Sequence, residues 1–234
     1  MIFASALIAL QIIGFALASP LQPRAVAKDE HEYRQKKAVA YYSPASGGGS
    51  MLDNAGDGFG EPLNVIISGL SDPTVLTDAG FLNFARAAGL STECLGLHLG
   101  APQSANLGDG HGPVNQTTEL RQDFGDVLLG TCLESLVGGN HLRVFRQNGP
   151  TANSGALVSS EQDVEQSHNI IPNGYDIGRD NFVTSATAAG LSYNNVKYSV
   201  KSETVSGLLQ PGSSGINHGI SIDGNVILLT VHTA

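Results

Sequence analysis

His141, Arg143, His168 and Arg179 are the residues of this chain whose types suit work on an anion. The segment His-Leu-Arg-Val-Phe-Arg-Gln at 141–147 alternates strictly, so a strand here sends His141, Arg143 and Phe145 to one side and Leu142 and Val144 to the other. An arginine grips phosphate or carboxylate through two parallel N–H bonds, and an imidazole exchanges a proton near neutral pH. Converging in a pocket, the four would bind a phosphate or carboxylate, or stabilise a transferring phosphoryl group with His141 or His168 as general acid or base. A simpler role competes and is favoured: Arg143 and Arg179 pair with carboxylates such as Asp176 or Asp180 and stitch helix to sheet.

A second set, His98, Asp109 and His111, offers imidazole and carboxylate donors for a transition metal such as zinc. They lie in a long Gly-, His- and Asn-rich stretch at 96–118, and no spacing locks two of them onto one face of an element. The Gly-Asp-Gly-His-Gly setting of Asp109 and His111 favours a plain turn. A third segment, Asn-Ile-Ile-Pro-Asn-Gly-Tyr-Asp-Ile-Gly-Arg at 169–179, reads as a turn followed by a helix capped by Asp176, with Tyr175 beside the cap. The chain has no Gly-x-Ser-x-Gly elbow, no His-Glu-x-x-His, no phosphate loop and no Cys-x-x-Cys. No cofactor is expected.

The elements that position these residues follow from hydrophobic pattern. Leu63 to Leu70 opens as a short β-branched strand. Thr77 or Asp78 caps a helix to about Gly89, with Phe81, Phe84, Ala85 and Ala88 inward. Residues 127–137 read as helix or strand alike. Ala156 to Val158 partners the 141–147 strand across a Gly149-Pro150 turn, and the helix from Asp176 runs to about Gly190. Val196–Lys201 and Val226–Val231 close the order as strands. The fold class is α+β: a mixed sheet of five to six strands with two helices on one face, in a split β-α-β arrangement.

Compartment is written at the N-terminus. Residues 1–18 are uncharged and almost wholly apolar, with small residues at Ala16 and Ala18, and read as a signal peptide cleaved near Ala18 or Ser19. Residues 19–62 read as a polar tail and Gly/Ser-rich linker, with a possible dibasic processing site at Lys36-Lys37, and residues 63–234 as a single domain. The expected setting is secreted, extracellular or cell wall, with no membrane span left after cleavage. Cys94 and Cys132, the two cysteines, then form a disulfide, worth roughly 3–4 kcal/mol for a loop of this size. Asn115 in Asn-Gln-Thr is a glycosylation sequon.

Charged residues make up 14% of the chain and its formal charge is −9. The tail to Lys37 is net positive, so the body is more acidic still. Such a body repels nucleic acid and anionic lipid, and neither is an expected partner.

Three ordered pieces between Pro62 and Gly190 resemble the LssY C-terminal-like family. His-Leu-Arg-Val-Phe-Arg at 141–146 is similar to that family's H-h-R-h-aromatic-R strand. His168 through Asp176, followed by Arg179-Asp180, is similar to its H-x-I-x-P-x-h-D-x-x-R-D/E segment. The strand after Pro62 and a helix ending Ala-Ala-Gly-Leu fit its opening. The matching positions are His141, Arg143, Arg146, His168, Pro172, Asp176 and Arg179, and the Gly-rich, exported chain looks like a secreted fungal branch. The resemblance implies an α+β module that in bacteria accompanies membrane and lipid-phosphatase-like domains, with no established reaction to carry over. This chain departs from the pattern in lacking such a companion domain and in a short strand after Gly155. The leading expectation is a non-enzymatic extracellular binding or surface module for an unknown ligand. A hydrolase of phosphoesters or similar anions and a metal-binding protein are the alternatives.

Overall fold

A computed structural model describes residues 38–98, 100–148, 156–163 and 170–234. In chain order its elements are β1 (Val65–Ile67), α1 (Asp78–Ala87), β2 (Leu90–Thr92), β3 (Ser104–Asn106), β4 (Pro113–Asn115), β5 (Thr118–Gln122), α2 (Gly130–Val137), β6 (Asn140–Arg146), β7 (Ala156–Gln162), α3 (Gly174–Ala186), β8 (Ser192–Tyr193), β9 (Val196–Val205) and β10 (Val226–Thr233). An 8-stranded sheet runs in the order β2-β5-β6-β7-β1-β10-β9-β8, and β3 and β4 form a separate pair. Among the described residues, β1 and β10 run parallel and the other strand pairs in the large sheet are antiparallel.

The α+β class stands, but the expected five to six strands and two helices are too few. Several strands are three residues long or shorter, too brief for alternation to declare itself. The stretch at 96–118, read as irregular, holds β3 and β4. The ambiguous 127–137 segment is helical from Gly130. The strand after Gly155 is not short: β7 continues through Ser159, Ser160 and Glu161 to Gln162, because both serines are buried between neighbouring elements.

The helix at 78–87 begins as its sequence predicts. Thr77 Oγ1 accepts from the Gly80 backbone N–H at 3.0 Å, and Gly89 follows its end with a φ of 84°. In α3 the cap differs from expectation. Asn173, at φ 59°, precedes the helix, and Asp176 lies inside the first turn.

The sheet buries both faces. Toward one, Val65, Ile67, Leu120, Leu142, Val144, Leu229 and Val231 pack with Phe81 and Phe84 of α1 and Phe182 and Ala186 of α3. Toward the other, Ile66, Phe145 and Leu228 meet Met51, Leu63, Leu107 and Tyr175. The two helices therefore share one core only in part, since α3 sends Tyr175 to the second. Asn64 fills the seam between β7 and the start of α3: its Nδ2 donates to the carbonyls of Ser160 and Tyr175, and its Oδ1 accepts from Ser160 N–H.

Residues 51–62, expected as linker, belong to the fold. Met51, Asp53 and Glu61 are buried, and Leu52, Asn54 and Gly60 bridge to Pro62, Ser104 and Ile216. Cys94 and Cys132 are joined across 38 residues with Cα atoms 4.5 Å apart, within the reach that a disulfide demands. Among the described residues no helix is long and apolar enough to cross a membrane. The signal segment, Lys36-Lys37, the Gly149-Pro150 turn and His168 lie outside the described residues.

Candidate functional site

Strand register assembles the charges. On one face of β5, β6 and β7, Glu119 stands opposite Arg143, Arg121 opposite His141, and His141 opposite Glu161. Opposite charges directly across a ladder attract, so Glu119–Arg143 and His141–Glu161 favour this register, while Arg121 and His141 are like charges held by the carboxylates around them. Three other segments close over this face. The 51–62 segment supplies Asp53 and Glu61, α2 supplies Glu134, and α3 supplies Tyr175.

Arg143 is the hub. Its Nη1 donates to Glu61 Oε2 at 2.5 Å and to Glu161 Oε1 at 2.9 Å, and its Nε is 3.5 Å from Glu119 Oε2. His141, with no exposed surface, contacts Glu161 through Nε2, and its Nδ1 is 3.4 Å from Asp163 Oδ2. Arg121 grips both oxygens of Glu134 through Nη1, at 3.2 and 3.1 Å, and reaches Glu119 Oε1 through Nη2 at 2.8 Å.

Acidic groups outnumber basic ones in this buried cluster, and the proton affinities respond. Burial, then the neighbouring Glu61, pushes the Asp53 carboxyl up to about 8. Burial, then Glu161, pushes Glu61 up to about 7. Burial works against the charge of Glu161, yet His141 and Arg143 beside it pull its carboxyl down to about 2. Burial likewise opposes the imidazolium of His141, but Glu161 and Asp163 raise it to about 10. Near neutral pH the cluster thus holds a charged His141–Glu161 pair beside Asp53, which retains its proton, and Glu61, which is close to half-protonated. Tyr175 Oη and Asp53 Oδ2 are buried without a hydrogen-bond partner among the described residues.

Of the four residues expected at an anion site, the three that are described do not all converge. His141 and Arg143 share the cluster; His168 lies outside the described residues. Arg179 is held by Asp223 through Nη1 and Nη2 at 2.7 and 3.0 Å, by Asp180 at 2.8 Å and by Asp176 at 3.2 Å. It ties α3 to the segment before β10.

The expected metal set divides too. Asp109 Oδ1 accepts from His111 N–H at 3.1 Å and its Oδ2 from Asn148 N–H at 2.8 Å, while His111 Nε2 is 3.1 Å from the Asn148 carbonyl. That pair staples a loop. His98 stands apart from it, with Nδ1 2.7 Å from Glu93 Oε2 and 3.9 Å from Glu119 Oε2. Glu93, His98 and Glu119 form one group with metal-ligand spacing, and Glu134, His141 and Asp163 form another. Asn115 is exposed at the end of β4.

Cavities open beside the charged residues and on the far face of the sheet. One of about 580 Å³ lies between α1 and the sheet, lined by Val75, Phe81, Val144 and Arg146 on the face away from the charges. Another of about 280 Å³ is lined by Glu93, His98, Gln116 and Glu119.

Glu119 and Arg121 alternate in Thr-Glu-Leu-Arg-Gln as His141 and Arg143 do in the next strand, a signal that sequence alone carries. Asp53 and Glu61 give none, because their glycine-rich surroundings mimic a linker. Comparison with known protein families, with curated proteins and with solved structures finds no match to this chain.

Proposed function

We propose that this protein is an extracellular, non-enzymatic binding module that meets an uncharged apolar surface through α2, and that it is an LssY-like domain. The observation that carries the reading is the inverted polarity of α2. This helix buries Gly130, Thr131 and Glu134 and turns Leu133, Leu136 and Val137 to solvent. Amphipathic helices at a protein surface do the reverse. Leu128 and Leu129 extend the apolar face at its start. Across the Cys94–Cys132 bond, Leu95 and Leu97 add to it, with Leu95 and Leu128 each 72% exposed. An apolar patch of this kind marks an interaction site. The inversion has a local cause: Glu134 is drawn inward by Arg121, which fixes the rotation of the helix.

The acidic body repels anionic lipid, so the surface it meets is uncharged. A phosphoester hydrolase finds less support. Arg143 and His141 are buried and already neutralised by Glu61, Glu161, Glu119 and Asp163, and their surroundings repel an anion.

Adsorption to methyl-terminated and hydroxyl-terminated surfaces, measured by a quartz-crystal microbalance, tests the reading. Burying a leucine is worth about 1.5–3 kcal/mol. The double variant Leu133→Ser, Leu136→Ser should therefore bind the methyl surface at least about tenfold more weakly, with its circular dichroism unchanged. Equal adsorption by variant and wild type overturns the docking surface. Turnover of a phosphomonoester that disappears in His141→Ala would favour the hydrolase instead.

A further inference from the structure

Glu93 and His98 bracket the short turn that carries Cys94, Leu95 and Leu97. We propose that Glu93, His98 and Glu119 form a site for a divalent transition metal of the zinc class, with its remaining coordination position facing the cavity of about 280 Å³ that the same residues line.

The geometry sorts the carboxylate oxygens into two roles. Arg121 takes Oε1 of each: Nη2 is 2.8 Å from Glu119 Oε1 and Nε is 3.6 Å from Glu93 Oε1. The Oε2 atoms of both face His98 Nδ1, at 2.7 Å from Glu93 and 3.9 Å from Glu119. Arg121 is thus a positioning residue, fixing two ligands by the oxygens that the metal does not use, as outer groups do around metal sites. Gln116 Nε2 donates to Glu119 Oε2 at 3.2 Å and Arg143 Nε stands 3.5 Å from the same oxygen, so both hold the third donor in place. Metal–ligand bonds of about 2.0–2.2 Å in tetrahedral array set donors about 3.3–3.6 Å apart. The observed separations straddle that value, so small rotations of two side chains complete the set.

Donor chemistry selects the metal. One imidazole nitrogen with two carboxylate oxygens suits zinc and its neighbours, whereas calcium and magnesium take oxygen throughout. Burial sets the access. Glu119 is 4% exposed, Glu93 13% and His98 32%, so the site is rooted at Glu119 and reached past His98. The second group, Glu134, His141 and Asp163, is buried at every position. Each zinc bound closes a ring over the turn between Glu93 and His98. The site stands on its own geometry and does not depend on the docking surface described above.

Isothermal titration of the oxidised protein with zinc chloride at neutral pH is the test. Both cysteines are in the disulfide, so no thiol competes for the metal. One saturable equivalent of zinc per chain is expected, unaffected by excess calcium. His98→Ala and Glu93→Gln should each weaken binding at least about tenfold, the scale on which the loss even of outer-shell groups acts. Both residues are accessible to solvent, and an unchanged thermal transition of the metal-free variants shows that folding is intact. His218→Ala, in a separate exposed turn, should bind as wild type does. Zinc binding that survives His98→Ala undiminished, displacement by calcium, or no saturable binding would each overturn the proposal. The adsorption experiment can fail while this titration succeeds, and the reverse.

Discussion

Arg143 donates Nη1 to Glu61 and Glu161, and its Nε faces Glu119, all in a region nearly closed to water. A guanidinium suits this place because its planar fork reaches several acceptors at once, and it stays charged where an ammonium would shed its proton. Burying such pairs is not in itself stabilising, since desolvation offsets most of the attraction, but removing one partner is costly. Arg143→Met leaves Glu61 and Glu161 without their shared cation. Its free energy of unfolding in urea should fall by about 3–5 kcal/mol, the range for breaking a buried pair. A loss below about 1 kcal/mol would mean that water or protonation compensates the carboxylates. Arg179 makes a comparable set of contacts, yet Asp180 is 64% exposed and Asp223 38%, so solvent screens those pairs and a smaller loss follows there.

At the scale of elements, two close approaches hold the charged face. Gly178 lets α3 lie directly on β7: a Cβ at this position would stand 2.5 Å from the Glu161 carbonyl carbon, against backbone that cannot turn aside. The same approach lets Asn140 Nδ2 reach the Gly178 carbonyl at 3.0 Å. Gly178→Ala must therefore push the helix off the strand that carries Glu161. The gain in helix propensity, about 1 kcal/mol, is outweighed, and the melting temperature should drop; a rise would show that α3 can shift without cost. The second approach is that of α2 to β5, where Glu134 meets Arg121 and, two residues earlier in the helix, Cys132 is bonded to Cys94. A helix of 8 residues is too short to be stable alone. These two anchors keep it in place while its leucines face outward.

For the molecule as a whole, the buried cluster sets how stability varies with pH. Asp53 and Glu61 hold protons more tightly folded than unfolded, so their contribution is complete below about 3.8 and 4.5 and is lost as pH rises through about 8 and 7. His141 acts in the same sense: its contribution is complete below about 6.5 and lost as pH rises through about 10. Glu161 acts oppositely, contributing fully above about 4.5 and losing that contribution as pH falls through about 2. Thermal stability should therefore peak between about pH 4 and 6 and decline steadily toward pH 9. A maximum above pH 7.5, measured by calorimetry, would contradict the assigned proton affinities. An acidic optimum suits a protein whose body carries a large negative charge, because protonation also relieves its self-repulsion.

Local pattern alone decided a good part of this protein. The alternation at 141–147, the Thr77 cap, the Phe81–Phe84 stripe and the pairing of the two cysteines were legible because each depends on neighbours in sequence or on a choice with one outcome. The α+β class followed from the same signals. The charged face as a whole was not legible: the alternation in β5 and β6 shows in the sequence, but its partners come from β7, α2 and a glycine-rich segment and meet them only through register and packing. Nor did the sequence reveal which side of α2 is buried. Hydrophobicity predicts the leucine side, but tertiary structure chose the other, because an ion pair between Glu134 and Arg121 turns the helix and only folding brings those two residues together.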